Sequence, residues 1–303
     1  MDDVLRTDRL TKRYGHFGAL NALTMRVPKG AIYGLVGKNG AGKTTLMRLI
    51  CGLQAPTSGG FSLYGVPHDS GDIIRARRRM GVMVEGPAFY GDMTAAENLM
   101  QQRVLLGLPS RDGISERLQG VGLEGAGRKK ARHFSLGMKQ RLGLAMALAG
   151  DPDFLVLDEP VNGLDPQGIV EMRGLLRRLN REKGVTILIS SHMLDELSRL
   201  ATHYGIIDRG RMVKELSAEA LEAARPKCAR MEVSNGAALA RVLEKMGFKY
   251  RMISENAADI YGEVPVTRLV LALAGAQCEV LSMQTRAESL ESYFLSLVGG
   301  GEA

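Results

Sequence analysis

The sequence predicts an α/β fold: a parallel sheet covered by helices on both faces, with smaller antiparallel and helical parts attached. Three observations carry that prediction. Ala31-Ile32-Tyr33-Gly34-Leu35-Val36, Phe154-Leu155-Val156-Leu157 and Val185-Thr186-Ile187-Leu188-Ile189 are short, continuous apolar runs of the kind that form buried strands. A helix-like stretch follows the first run, and another separates the second from the third. A glycine-rich loop, Gly37-Lys38-Asn39-Gly40-Ala41-Gly42-Lys43-Thr44, joins the first strand to the helix beginning Thr45-Leu46-Met47-Arg48-Leu49-Ile50.

Each remaining element has its own signal. Residues 4–36 alternate apolar and polar in short runs, with turn residues at Tyr14-Gly15-His16-Phe17-Gly18 and Pro28-Lys29-Gly30. Antiparallel strands leading into the first core strand follow from this. Residues 60–65 and 81–84 read as further strands. From 94 to 150 the pattern is helical, broken by Gly and Pro near 107–113 and 120–127. Between the last two core strands, a helix from Gln167 to Glu182 begins well, with Asp165 as N-cap and Pro166 at the first helical position. From 216 onward the order is β-α-β-β-α-β: strands at 231–233, 249–253, 258–262 and 278–283, and helices at 237–246 and 265–274, with a last helix at 288–298. This fits a small ferredoxin-like α+β domain. The expected organisation is therefore a domain over 1–215 and an accessory domain over 216–303, with no internal repeat.

Composition narrows the function classes. The 303 residues allow about two domains and are 45% hydrophobic and 24% charged, as in an ordinary globular protein. No apolar run approaches the ~18 residues of a membrane helix; Leu142 to Ala149 is among the longest. The start, Met1-Asp2-Asp3, has no apolar signal segment, so a secretory leader is not expected. Cys51, Cys228 and Cys278 are scattered and read as reduced thiols. The net charge of +7 gathers in Arg75-Ala76-Arg77-Arg78-Arg79 and Arg128-Lys129-Lys130-Ala131-Arg132. With aromatics at 5%, no Trp and no interleaved stacking pattern, these clusters read as solvated surface, and no nucleic-acid partner is expected.

The glycine-rich loop reads G-x-x-x-x-G-K-T in the strand–loop–helix context of a P-loop NTPase. Its glycines let successive N–H groups converge on phosphate oxygens, and the helix N-terminus adds a favourable dipole. Gly37, Asn39, Gly40, Ala41, Gly42, Lys43, Thr44 and Thr45 form the expected nucleotide-binding set. Lys43 reaches the β- and γ-phosphates, and the Thr44 hydroxyl faces Mg²⁺. The strand ending Leu157-Asp158-Glu159 supplies two adjacent acids: Asp158 to hold Mg²⁺ and Glu159 to polarise a water for attack on the γ-phosphate.

Between these motifs lies Phe134-Ser135-Leu136-Gly137-Met138-Lys139-Gln140-Arg141, and here the chain resembles the nucleotide-binding subunits of ABC transporters. Their signature, L-S-G-G-Q followed by Q-Q-R, is kept at Ser135, Gly137, Gln140 and Arg141 and departs at Phe134, Leu136 and Met138. The resemblance covers about 3–215 and implies further roles. Tyr14 would stack on adenine, and Ser135, Gly137 and Met138 would close the opposing protomer's site. Asp165 would belong to the interface loop Asn162-Gly163-Leu164-Asp165, and His192, in Ser190-Ser191-His192, would contact the γ-phosphate. Where the family has a glutamine, this chain has Glu85, which would ligate Mg²⁺ beside Thr44 and Asp158. Glu85-Gly86-Pro87-Ala88-Phe89-Tyr90 and Ser289-Leu290-Glu291-Ser292-Tyr293-Phe294-Leu295 resemble the bacitracin-resistance and lantibiotic-immunity branch. The resemblance implies ATP and Mg²⁺, a head-to-tail homodimer, a separate membrane permease of the ABC-2 type, and a cytoplasmic, peripheral place at the inner face of the membrane, powering export of a drug, peptide or similar cargo. The rival is a cytosolic ABC-type ATPase acting on translation or DNA. The single ATPase unit and the lack of long coiled coils speak against it. The intact Asp158-Glu159 pair speaks against a module that only binds ATP.

Overall fold

Strands β1 (Asp3–Tyr14) and β2 (Phe17–Pro28) form a long antiparallel hairpin closed by the Tyr14–Phe17 pair. The computed structural model describes residues 2–224, 227–287 and 290–299 and divides into two units, Met1–Ala218 and Glu219–Ala303. In the first unit, β3 (Ile32–Val36) is buried at every position and runs through the glycine-rich loop into α1 (Lys43–Ile50). Strand β4 (Ser58–Leu63) pairs with β1, and β5 (Val66–Pro67) completes a four-stranded sheet of order β2-β1-β4-β5. Helix α2 (Ile73–Arg77) then leads to β6 (Met80–Met83).

A helical part follows: α3 (Ala95–Leu105), α4 (Ile114–Gly120) and α5 (Leu136–Ala147). A capping box starts α3, in which Thr94 and Glu97 satisfy each other's backbone N–H groups. The chain returns through β7 (Phe154–Asp158), α6 (Pro166–Lys183), β8 (Thr186–Ser191), α7 (Leu194–Ser198), β9 (His203–Asp208) and β10 (Arg211–Ser217). Asp165 caps α6 by accepting from Gly168 N–H at 3.1 Å, and Gly184 ends it in the left-handed region.

The central sheet has six strands in the order β10-β9-β3-β8-β7-β6, parallel except for β10. All residues of β3, β7 and β8 are buried, which is why the apolar stretches of these strands are nearly continuous, with Thr186, Asp158, Ser190 and Ser191 at the strand ends. Strand β9 was not anticipated from the sequence. Its apolar run is short and contains Gly205, where an added Cβ would come within 2.3 Å of the Tyr33 hydroxyl oxygen. The glycine that hides the strand is what lets Tyr33 pass. The buried Tyr33 hydroxyl donates to Glu215 Oε1 at 2.6 Å, and Glu215 also accepts from Arg26 N–H at 3.0 Å. Burial and the Glu215 carboxylate push the phenol pKa well up, so it stays a donor, and Glu215 links β3 of the central sheet to β2 of the other.

Helix α8 (Ala218–Ala224) starts at the boundary, and the second unit continues with β11 (Lys227–Val233), α9 (Gly236–Lys245), β12 (Lys249–Ser254), β13 (Ala257–Tyr261), α10 (Val266–Gly275), β14 (Val280–Ala287) and α11 (Leu290–Gly299). Its sheet is antiparallel in the order β12-β13-β11-β14. Met231, Leu239, Leu243, Ile260, Leu269 and Leu273 form its core. The expected helix start at 288 and the motif residue Ser289 lie outside the described residues. Among the described residues, no helix is long and apolar enough to cross a membrane.

Candidate nucleotide-binding site

The site is built where β3, β7 and β8 end beside the N-terminus of α1. Gly42, just before α1, has φ +108, and a Cβ there would come within 2.7 Å of the Ala19 carbonyl oxygen. Only glycine fits this approach. Lys43 is 6% exposed. Its ammonium donates to the Gly37 carbonyl at 2.6 Å and the Lys38 carbonyl at 3.3 Å, so the side chain curls over the loop that would hold the phosphates. The loop, Tyr14, Phe17, Ala19 and Glu159 line a concavity of about 250 Å³.

Asp158 is buried at the end of β7, and both its oxygens are engaged. Thr44 Oγ1 donates to Oδ2 at 2.8 Å, and Ser190 Oγ donates to Oδ1 at 2.6 Å. Ser190 Oγ also accepts from the Glu159 backbone N–H at 2.9 Å. Glu159 holds φ +48, and its carboxylate spans two partners. Lys43 Nζ lies 3.5 Å from Oε1, and His192 Nδ1 lies 2.9 Å from Oε2. Acting as an Nδ1–H donor, His192 orients Glu159 while leaving its other ring nitrogen free for a ligand.

The structure thus brings together Lys43, Thr44, Asp158, Glu159 and His192. Tyr14 stands at the mouth of the concavity, 41% exposed, with its hydroxyl bonded to Gln54 and Lys12 Nζ 5.3 Å from its ring centroid. Ser135, Gly137, Met138 and Asp165 lie outside the lining of this concavity. Ser135 instead caps α5, accepting from Met138 N–H at 3.3 Å, and is exposed. Glu85 does not join Thr44 and Asp158: its carboxylate pairs with Arg48. Sequence reasoning missed Ser190 and Phe17. Ser190 stands two residues before His192, and the Ser-Ser-His run was its one signal. Phe17, 63% exposed, was read only as a turn residue.

Among the described residues no trio of His, Cys, Asp or Glu is preformed for a metal. One carboxylate beside one hydroxyl suits Mg²⁺, a hard cation that takes oxygen ligands and shares them with substrate phosphates.

Residues 20–162 match the ABC transporter family model. The chain is 39% identical over 306 residues to the bacitracin transport ATP-binding protein BcrA of Enterococcus faecalis, covering 99% of this chain and 98% of that one. It is 41% identical over 212 residues to the lantibiotic transport ATP-binding protein SrtF of Streptococcus pyogenes, covering 70% and 90% respectively. In fold it is similar to a dimeric post-hydrolysis state of the ATP-binding cassette MJ0796 bound to ADP and Pi, with a TM-score of 0.64 and 24% identity over 71% of this chain and 98% of that one. The near-full-length similarity gives one conclusion: the chain belongs to the ABC transporter family, as an ATP-binding subunit whose ATPase activity is coupled to transport.

Proposed function

We propose that this subunit powers export of a peptide antibiotic or similar drug through a separate ABC-2 type permease, working as a homodimer at the inner face of the membrane with ATP and Mg²⁺. The observation that carries this reading is the similarity to BcrA across 99% of the chain, including the unit beyond the ATPase core. That second unit is read as a ferredoxin-like accessory domain over 216–303 that supports or regulates the dimer and binds no nucleotide.

The chain's own residues perform the cycle. The loop amides and Lys43 neutralise the phosphates, and Tyr14 and Phe17 flank the base. Thr44 and Asp158 would hold Mg²⁺, which supplies charge neutralisation on the phosphate oxygens. Glu159, oriented by His192, accepts a proton from the attacking water. Ser135 and Gly137 of the second copy, at the start of α5, complete the site from the other side; MJ0796 was solved as a dimer. Glu85 senses the metal and couples it to the permease through the loop at 86–92.

The test is resistance. A sensitive bacterium expressing the chain with its cognate permease should survive higher bacitracin than cells lacking either, and Lys43→Ala should abolish the gain. Full resistance with Lys43→Ala, or none to bacitracin and related peptides with the wild type, would contradict the reading.

A further inference from the structure

We propose that Arg48 is a positioning residue of the ATPase cycle. It holds Glu85 in a standby place, and Glu85 must leave it before its carboxylate can serve the metal–nucleotide complex. The inference rests on the reading of Glu85 as a metal-sensing residue.

Arg48 stands in the last turn of α1, the same helix that begins with Lys43 and Thr44. Glu85 lies on the loop just after β6. Its carboxylate forms an ion pair with the Arg48 guanidinium, the two side chains being 52% and 33% exposed. The phosphate side of the helix is already organised without Glu85, since Thr44 and Ser190 occupy both oxygens of Asp158. Glu85 also holds φ +64, followed by Gly86 at φ +104. A residue with a Cβ keeps that left-handed conformation when its surroundings impose it, and the pair with Arg48 is such a constraint.

The chemistry makes the two partners of Glu85 competitors. A guanidinium keeps its charge at any physiological pH, so it does not release a carboxylate by titration. Release requires a better cation, and Mg²⁺ arriving with nucleotide is one. A glutamine at this position would bind the guanidinium through one neutral oxygen and would be held far less firmly. The combination of Glu85 with Arg48 therefore sets a threshold: the loop leaves standby only when metal and nucleotide are both present. Because the pair is partly exposed, water and salt screen it. Its removal should shift the metal requirement by about 1.5- to 5-fold.

The experiment follows binding of a fluorescent non-hydrolysable ATP analogue to the full-length chain as Mg²⁺ is raised, with thermal melts confirming that each variant is folded. Arg48→Met should lower the Mg²⁺ midpoint about 1.5- to 5-fold, and Arg48→Lys, which keeps charge but loses the fork, should fall between. Glu85→Ala should raise the midpoint, and adding Arg48→Met to it should change nothing more. If Glu85→Ala raises the midpoint while Arg48→Met leaves it unmoved or raises it, the standby role is wrong and the metal-sensing role stands. If Glu85→Ala leaves the midpoint at the wild-type value, the metal-sensing reading itself is wrong.

Discussion

Ser190→Ala removes one oxygen atom and tests how Asp158 and Glu159 are held. Ser190 is fully buried. Its hydroxyl donates to Asp158 Oδ1 at 2.6 Å and accepts from Glu159 N–H at 2.9 Å. Loss of a hydrogen bond to an ionised carboxylate costs about 1.5–3 kcal/mol, and an orphaned buried N–H costs about 1–3 kcal/mol. The two terms share one atom and do not add fully, so the net destabilisation should be about 2–4 kcal/mol. At about 2–4 °C per kcal/mol for a unit of this size, the melting temperature should fall by about 4–16 °C. The loss should also reach the chemistry, because Asp158 and the Glu159 backbone lose their common anchor. A misplacement worth about 1.4 kcal/mol in the transition state lowers kcat about tenfold. Differential scanning calorimetry and a phosphate-release assay read the two effects. Ser190→Thr, which keeps the hydroxyl, should recover part of both. A melting temperature within about 1 °C of wild type, with unchanged turnover, would refute the anchoring role.

Three further outcomes are expected. Ser135→Arg places bulk at the exposed start of α5; nucleotide binding to the monomer should survive while ATP-driven dimerisation fails, and equal loss of both in titrations would make Ser135 a fold residue instead. Burial pushes the Cys51 thiol up to about 12, so the thiolate is scarce at neutral pH. Iodoacetamide should leave Cys51 of the native protein nearly unlabelled at pH 8 by mass spectrometry and react once the chain is unfolded or the pH nears 12; rapid native labelling at pH 8 would contradict the raised thiol pKa. A chain ending at Ala218, the limit of the first unit, should still bind ATP, and a folded truncation without affinity would show that the second unit contributes to the site.

What the sequence disclosed depended on whether a signal was local. Gly37 to Thr44 is legible because loop, preceding strand and following helix agree within a few residues. Asp165 and Pro166 announce α6 for the same reason, through cap and first-turn chemistry. Buried strands β3 and β7 show themselves as apolar runs. Strand β9 does not, because Gly205 makes room for Tyr33 from a neighbouring strand and so interrupts the run. Ser190 has only the weak mark of the Ser-Ser-His run: a serine at a strand end is commonplace, and its role appears only when β7 and β8 lie side by side. The partnership of Arg48 with Glu85 joins a helix end to a distant loop, and no spacing rule connects them.

In the proposed mechanism one chain carries half of each catalytic site, and ATP brings two chains together. Glu159→Gln keeps the shape of the side chain and removes the anionic base, so it separates binding from turnover. Sedimentation of this variant with and without saturating Mg²⁺ and ATP is the most direct test. The variant should be a monomer without nucleotide and a stable dimer retaining unhydrolysed ATP when nucleotide is present. A variant that stays monomeric with bound ATP, or that hydrolyses it at the wild-type rate, would contradict the account.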